Sequence, residues 1–375
     1  MRTRLSLKVG SATVMLMTAL AVPTSAAVRS GPGHGDDGAR CAPGASLLGF
    51  TDGLDKTTFD DTAVAGLSAL SLTGPSRGLT LVDNVGTTPA RIYDLSLKAG
   101  RDLTATVRGV TTLRRPNGAP YTGADFDGEG LVAERGGRTV LASSETEPTI
   151  RRFRLSDGTQ TAELPVPARF RVTPDGEAVR NQTFEALAAT PDGRELYAGM
   201  EGPLSTDGSD TEGHALVRVL RYTGRSGGAY APTAQYAYRT DPALGLVELV
   251  ALGRGRLIAL ERGFTAGVGN TVRVYLVSAA GAPDVTHTGS LADLSPRAFL
   301  RKELLVDLAT CPPSGATAKQ PQPNPLLDNV EGMALGGSSA GGRHVLYLIS
   351  DDNAGATQTT RVYALSVRLH PSPGR

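Results

Sequence analysis

The stretch Glu129–Glu145, EGLVAERGGRTVLASSE, has two short apolar runs on either side of a turn that contains two glycines. Apolar runs joined by a glycine-bearing turn are typical of a β-hairpin. The hairpin begins and ends on a glutamate. Four other stretches have the same layout: Gly66-LSALSL with GLTLVDN, Glu185-ALAATPDGRELYAGME, Glu248-LVALGRGRLIALER and Glu331-GMALGGSSAGGRHVLYLISDDN. Self-similarity of this kind predicts an all-β chain built from repeated units.

Further strand-like runs accompany these hairpins, and they alternate polar and apolar residues as outer strands with one solvated face do. They are ARIYDLSL, TIRRFRLSDG, LVRVLRYTG, TVRVYLVSAAG and TRVYALSVRL. We therefore predict a β-propeller with four-stranded antiparallel blades. The residues that follow the first 27, divided by a unit of about 58 residues, give six blades. We expect the sixth between residues 248 and 331, where no clear repeat is visible. A pair of β-sandwiches is the competing fold.

The N-terminal stretch carries Arg2, Arg4 and Lys8, then a mainly apolar run and small residues up to Ala27. This pattern predicts a signal peptide over residues 1–27 and export of the remainder. Residues 28–44 are rich in Gly, Pro and charge, which predicts a flexible lead-in before a propeller domain over residues 45–370. No later stretch is long and apolar enough to predict a membrane span.

The numbers of basic and acidic residues limit the kinds of binding partner that we expect. Of 38 basic residues three lie in the predicted signal peptide, which leaves 35 against 37 acidic ones and no basic cluster. Nucleic acid is therefore not an expected partner. The two cysteines, Cys41 and Cys311, would form a disulfide in an exported chain, with two unpaired thiols as the alternative. We expect a monomer.

Four glutamates begin the inner strands of their units and are expected to form a ring in the channel: Glu129, Glu185, Glu248 and Glu331. The second strands of the five units end on Asp83, Glu145, Glu201, Glu261 and Asp351. Close carboxylates repel each other unless a cation neutralises them, and oxygen ligands favour Ca²⁺ or Mg²⁺. The alternative is that each glutamate fixes the backbone of a neighbouring blade.

The chain resembles the phytase-like (esterase-like activity of phytase) family of secreted bacterial β-propeller proteins. The resemblance rests on DFDGEGLV (Asp125–Val132), FEALAATPDG (Phe184–Gly193), LIALERG (Leu257–Gly263), DNVEGMAL (Asp328–Leu335) and LISDDN (Leu348–Asn353). It implies hydrolysis of phosphate or other esters.

A second acidic set lies on two paired strands and comprises Asp328, Asn329, Glu331, Asp351, Asp352 and Asn353. Arg262 at a strand end could bind a phosphate oxygen, or pair with Glu261 or another acid of the ring. The predicted catalytic residues are Glu331, Asp351, Asp352 and Arg262. The predicted metal ligands are Glu129, Glu185, Glu248, Asn329, Glu331 and Asp352.

The sequence is compatible with three functions. The first is a secreted phosphoesterase that uses water attack assisted by a metal, with Ca²⁺ as the expected cofactor. The second is a Ca²⁺-dependent lactonase or carboxylesterase, and both would act on a small-molecule ester. The third is a non-catalytic propeller that binds the cell envelope, although 5% aromatic residues and no Trp offer few platforms for sugars.

Overall fold

The computed structural model of the chain describes residues 40–83, 86–338 and 341–369. They form a β-propeller with five blades, in which each inner strand contacts the inner strands of both neighbouring blades. The predicted propeller class and the four-stranded antiparallel blades are confirmed, whereas the predicted number of six blades is wrong. The predicted signal peptide and most of the predicted lead-in lie outside the described residues.

Four short strands precede the first blade: β1 (Arg40–Ala42), β2 (Ala45–Thr51), β3 (Thr57–Phe59) and β4 (Thr62–Val64). Blade 1 comprises β5 (Leu67–Gly74), β6 (Arg77–Val82), β7 (Arg91–Lys98) and β8 (Thr104–Thr112). Blade 2 comprises β9 (Gly128–Ala133), β10 (Thr139–Ser144), β11 (Thr149–Arg154) and β12 (Gln160–Glu163). Blade 3 comprises β13 (Phe184–Ala189), β14 (Glu195–Met200), β15 (Leu216–Gly224) and β16 (Tyr230–Arg239).

Blade 4 comprises β17 (Gly245–Gly253), β18 (Arg256–Thr265), β19 (Gly269–Ser278) and β20 (Arg301–Asp307). Blade 5 contains β21 (Val330–Ser338), β22 (Arg343–Ser350) and β23 (Val362–Arg368) together with β2 and β1. The helical segments are single 3₁₀ turns at Ala168–Phe170, Leu291–Asp293, Pro296–Ala298 and Leu308–Thr310. None of the helices in the described part of the chain is long and apolar enough to cross a membrane.

The interval between residues 248 and 331 contains no hidden sixth unit among the described residues. Blade 4 has two ten-residue strands, β18 and β19, and a long connection that holds two 3₁₀ turns before β20. A second long segment, residues 308–329, then leads to blade 5. These elements lengthen the interval to 83 residues, about 25 more than the unit of about 58, and this excess contributed to the expectation of a sixth blade.

The ring of blades is closed by pairing between an N-terminal strand and the last of the described strands. Strand β2 pairs antiparallel with β23, from Ala45 opposite Val367 to Thr51 opposite Val362. The predicted disulfide is confirmed: Cys41 in β1 is bonded to Cys311, which follows β20 of blade 4. The N-terminal strands are therefore part of blade 5 and are covalently joined to the segment that leaves blade 4.

The hydrophobic core lies between adjacent blades. One cluster joins Leu141 of blade 2, Phe184 and Leu196 of blade 3, and Leu257 of blade 4, all of which are fully buried. Alternation within each strand gives it an apolar face for each neighbour, as in packed sheets generally. The blades thereby hold the inner strands in fixed positions around the channel.

Candidate functional site

Each inner strand has a β-bulge close to its beginning, where the pairing with the second strand shifts by one residue. The residue at this bulge occupies the same position in all five blades, and we call it the inner ring position. It is Ser68, Glu129, Glu185, Val247 and Glu331 in blades 1 to 5. Blades 2, 3 and 5 therefore place a glutamate at this end of the channel.

The residue directly after the paired end of each second strand forms an outer ring position. In four blades its backbone N–H donates to the carbonyl of a residue just before or at the start of the inner strand, at 2.7–2.9 Å. In blade 4 the equivalent residue pairs with Gly245. The five outer residues are Asp83, Glu145, Glu201, Arg262 and Asp351.

Arg262, and not Glu261, is thus the blade 4 member of this set. Glu261 lies on the opposite side of its strand, where it accepts hydrogen bonds from the Tyr238 hydroxyl at 2.6 Å and from Lys302 Nζ at 2.5 Å. The expectation that Glu261 matches the other strand-terminal acids is therefore wrong. Adjacent residues of a strand point to opposite faces. The shift by one residue therefore places the positively charged side chain of Arg262, and not the carboxylate of Glu261, at the outer ring position.

We call the assembled group the acidic ring. Its members are the eight carboxylates of Asp83, Asp127, Glu129, Glu145, Glu185, Glu201, Glu331 and Asp351, together with the guanidinium of Arg262. Carboxylate oxygens within 4.8 Å of one another are found in two sets of three residues: Asp83 with Asp127 and Glu129, and Glu145 with Glu185 and Glu201. Both sets have the oxygen-only composition that Ca²⁺ and Mg²⁺ prefer. These clusters could hold a metal ion.

Small residues after the ring glutamates allow this close approach. A Cβ atom added at Gly130 would lie 2.5 Å from Leu187 Cβ and 2.7 Å from the carbonyl oxygen of Glu185. At Gly332 an added Cβ would lie 2.8 Å from the backbone carbonyl carbon of Ala69 on the inner strand of blade 1. The Glu-Gly pairs in the sequence are therefore needed because the backbones of neighbouring inner strands nearly touch.

Mutual repulsion and burial dominate the electrostatics of the ring. Burial raises the pKa of Asp83 to about 11, with hydrogen bonding to Asp127 and the charges of Asp351 and Asp127 adding to it. Burial likewise raises the pKa of Glu145 to about 7, helped by neighbouring carboxylates and opposed by the Thr183 N–H. The pKa of Glu129 rises well above its usual value for the same two reasons, burial and neighbouring carboxylates. Such a group holds protons at neutral pH unless a cation replaces them.

Arg262 is the positive charge of this ring. Its Nη2 donates to Glu331 Oε1 at 2.5 Å and lies 4.0 Å from Glu201 Oε1, while its Nε is buried without a hydrogen-bond partner among the described residues. Glu331 Oε1 also accepts from Asn329 Nδ2 at 3.0 Å. The open Nε donor is a place where an oxygen of a ligand could bind. The predicted pairing of Arg262 with an acid of the ring is thus found, with Glu331 as the partner.

Two predicted metal ligands lie away from the ring. Glu248 follows Val247 by one residue, so the expectation that all four glutamates hold equivalent positions is wrong for Glu248. Its Oε1 accepts from the N–H groups of Leu187 and Leu249, at 3.2 and 2.8 Å. Asp352 is fully buried, pairs with Lys56 and accepts from the Gly66 N–H at 2.9 Å.

Asp352 therefore fixes blade 5 to blade 1 in the way that the structural alternative described. Asp328 fixes the backbone within blade 5, since its two oxygens accept from the N–H groups of Asn329 and Thr359 at 2.9 and 3.0 Å. Asn353 is exposed and donates to Gln358. Of the second acidic set, the structure brings Glu331 and Asp351 into the ring and places Asn329 beside it.

Sequence reasoning did not name Asp83, Asp127, Glu145 or Glu201 as catalytic residues or metal ligands, although Asp83, Glu145 and Glu201 were visible as strand-terminal acids. The signal that could have found them is the shared offset from the start of each hairpin.

Another acidic group, Asp210 with Glu212 and His214, lies elsewhere and is held by Arg239, which is 2.6 Å from Asp210 and 2.8 Å from Glu212. One of its two negative charges is therefore compensated by Arg239.

Two matches to G-x-S-x-G, residues 74–78 and 224–228, lie in turns between antiparallel strands. A nucleophile elbow requires a turn from a strand into a helix. Ser76 is exposed, and Ser226 Oγ accepts from the backbone N–H of Arg135. These serines therefore lack the setting of a hydrolase nucleophile.

The fold and the ring define a five-bladed propeller whose channel is acidic at one end. The chain belongs to the Phytase-like family, whose family model, described as esterase-like activity of phytase, matches residues 62–354. No curated protein matches the chain. Among solved structures, hydrazine synthase of Kuenenia stuttgartiensis is 10% identical, with 79% of this chain and 81% of that chain covered and a TM-score of 0.34. The family AA12 carbohydrate-active enzyme of Trichoderma reesei is 13% identical, with 88% and 97% covered and a TM-score of 0.36. Neither similarity bears on activity.

Proposed function

We propose that the protein is a secreted, Ca²⁺-dependent hydrolase that cleaves a small ester at the acidic ring. The observation that carries the proposal is the meeting of eight carboxylates with one arginine whose Nε is buried and unpartnered. Membership of the Phytase-like family supports ester hydrolysis as the reaction class. The disulfide is consistent with an extracellular site of action.

The donor set fits a hard divalent cation. Asp83, Asp127 and Glu129 would hold one ion, because their oxygens already lie within 4.8 Å of one another, and Glu145, Glu185 and Glu201 offer a second set. Ca²⁺ takes six to eight oxygen ligands, a number that several carboxylates and water supply together. A bound cation would polarise the ester oxygen as a Lewis acid and lower the pKa of water.

Arg262 is the proposed binding residue for the ester. Its guanidinium is held by Glu331, which leaves the Nε donor for an oxygen of the substrate. Asp351 is the proposed proton donor to the leaving group. Its Oδ2 is buried without a hydrogen-bond partner among the described residues, and burial together with the charge of Glu331 raises its pKa well above the usual range. A carboxyl group that keeps its proton at neutral pH can act as a general acid.

The charge of the ring favours substrates of low negative charge. One arginine faces eight carboxylates, so a single bound Ca²⁺ leaves the ring negative at any pH at which most of the acids are ionised. A polyanion such as phytate would be repelled more strongly than a monoester. This observation keeps the lactone or carboxylic ester as the second candidate substrate class.

The test compares p-nitrophenyl phosphate, p-nitrophenyl acetate, a lactone and phytate, each with Ca²⁺ and with EDTA. We expect turnover of at least one ester that EDTA abolishes and Ca²⁺ restores. Arg262→Gln should lower kcat/KM for that ester by about tenfold to hundredfold, since a hydrogen bond from a charged donor contributes about 1.5–3 kcal/mol.

Arg239→Gln is the matched control, because it removes an ion-paired arginine on the surface away from the ring. It should leave turnover unchanged. No hydrolysis of any of the four substrates by a folded, Ca²⁺-loaded protein would refute the proposal and favour a non-catalytic binding propeller. Hydrolysis of the carboxylic esters alone would select the second candidate class.

A further inference from the structure

A second cavity, of 610 Å³, lies at the other end of the channel. The inner strands begin at the acidic ring and run toward this cavity, which their later residues line together with the turns that follow. From Glu129 the chain advances about 7 Å to Leu131, where the lining begins in blade 2, and about 13 Å to Ala133, at about 3.3 Å per residue, and no residue of the acidic ring lines the cavity. The cavity is therefore distinct from the acidic ring, and its volume is within the range of small-molecule sites, about 300–1,000 Å³.

The walls of this cavity are aliphatic and come from all five blades. The residues two places after the inner ring position are Leu70, Leu131, Leu187, Leu249 and Met333, each no more than 2% exposed. The residues two places further on are Leu72, Ala133, Ala189, Ala251 and Leu335. Such a lining suits an alkyl chain, which gains by leaving water.

Glu248 is one of two buried acids that line the cavity. It occupies a position at which the other blades have Ala69, Gly130, Ala186 and Gly332. Two backbone N–H groups bind its Oε1, so the carboxyl group is fixed in place. Glu134, the other acid of the lining, is neutralised by Arg152, whose Nε and Nη2 lie 2.6 and 2.9 Å from its oxygens.

The opening of the cavity is basic. Arg135 and Arg256 line it and are exposed. Their guanidinium groups donate to the carbonyl oxygens of Asp192 and Leu369, at 3.0 and 2.7 Å, and neither forms an ion pair with a carboxylate of the described residues. An arginine lies in or beside the turn between the first two strands of every blade, although that of blade 1 is paired with Asp94: Arg77, Arg135, Arg194, Arg254 and Arg343. Negative charge at the opening would therefore be attracted.

We propose that this cavity binds one amphiphile, with its aliphatic chain among the leucines and a single anionic head group at Arg135 and Arg256. The arginines at the opening favour an anionic head group because the charges are complementary. The aliphatic walls favour the hydrocarbon chain of the amphiphile. The site does not depend on hydrolysis at the acidic ring. Loss of amphiphile binding at this cavity would leave the proposed ester hydrolysis at the acidic ring unchanged.

The absence of Trp from the chain gives a clean reporter. Leu252→Trp introduces a single tryptophan in the half-buried part of the lining. Its fluorescence is titrated below the micelle concentration with octanoate, decanoate, dodecanoate and uncharged dodecyl maltoside. We expect saturable binding, a Kd that falls about fourfold for each added methylene, and tighter binding of dodecanoate than of dodecyl maltoside.

Two variants separate the chain from the head group. In the Leu252→Trp background, Ala189→Phe fills the cavity and should abolish binding. Arg135→Gln with Arg256→Gln should remove the preference for dodecanoate and its dependence on salt. Arg138→Gln is the matched control, since Arg138 is exposed in the same turn as Arg135 and does not line the cavity.

Four outcomes would overturn the proposal: no fluorescence change with any ligand, equal binding by folded Ala189→Phe, equal affinity for dodecyl maltoside, or self-association that Ala189→Phe abolishes. The last would mean that a second copy of the chain covers the cavity. Light scattering on the same samples detects it. Circular dichroism establishes that each variant is folded.

Discussion

Removal of divalent cations should destabilise the protein, because the carboxylates of the acidic ring then repel each other. At a Ca²⁺ concentration one hundred times its Kd, one bound ion stabilises the native state by about 2.7 kcal/mol. Unfolding of about 330 residues at about 2.1 cal/mol/K each gives an entropy change of about 0.7 kcal/mol/K. One ion therefore raises Tm by about 4 °C, and two ions by about 8 °C.

The assay is thermal unfolding by calorimetry in EDTA and in increasing Ca²⁺. Asp83→Asn with Asp127→Asn should remove most of the Ca²⁺-dependent shift and raise Tm in EDTA, since it relieves repulsion among the clustered, half-buried acids. Asp210→Asn with Glu212→Gln is the matched control, because it alters an acidic group already paired with Arg239. A shift below 1 °C at 10 mM Ca²⁺, or an equal shift in the Asp83 and Asp127 variant, would refute this reasoning.

Three further predictions concern stability. Asp207→Asn should cost about 3–5 kcal/mol in urea unfolding, because it leaves the fully buried Arg218 without the carboxylate that binds it at 2.7 and 2.9 Å. Acid should lower Tm between about pH 4 and pH 2. Burial alone would raise the pKa of Asp241, but hydrogen bonds from Lys302, Tyr275 and Arg273 lower it to about 2. Ionised Asp241 therefore stabilises the native state fully above the pKa of the unfolded chain, and this stabilisation is lost as the pH falls to the folded pKa. Gly130→Ala should cost about 1–3 kcal/mol by overpacking the inner strands.

Each of these three has a contrasting measurement. Gly337→Ala is the control for Gly130→Ala, since an added Cβ meets nothing within 4 Å there, and equal losses would contradict the close-approach argument. Asp241→Asn should make the fall of Tm between about pH 4 and pH 2 smaller. An unchanged fall would show that other acids cause the loss of stability. A loss below 1 kcal/mol for Asp207→Asn would show that Arg218 finds another partner.

The repeated hairpins made the propeller predictable, because each unit shows its strands and turns locally. The number of blades was not predictable in the same way. Blade 5 takes β2 from the other end of the chain, and such long-range pairing leaves no local signal. The extended strands β18 and β19 added length that spacing alone could not distinguish from a further blade.

The candidate site was predicted only in part, and the bulges explain why. Glu129, Glu185 and Glu331 were placed correctly, since their strands share one register. In blade 4 the bulge falls at Val247, so Glu248 is displaced to the second cavity and Arg262 replaces Glu261 in the ring. A one-residue difference between otherwise similar hairpins reverses which side chain faces the channel, and the sequence does not show where a bulge lies.

The closure of blade 5 by an N-terminal strand and the last of the described strands has a consequence for the order of assembly. Glu331 and Asp351 reach their places only when β21 and β22 stand beside β23, which in turn pairs with β2. A chain still emerging from a ribosome or a translocation pore holds at most part of the ring until its last strand is released. The two sets of three carboxylates lie in blades 1 to 3 and can form earlier, whereas the complete ring, with Glu331 beside Arg262, is a property of the finished molecule.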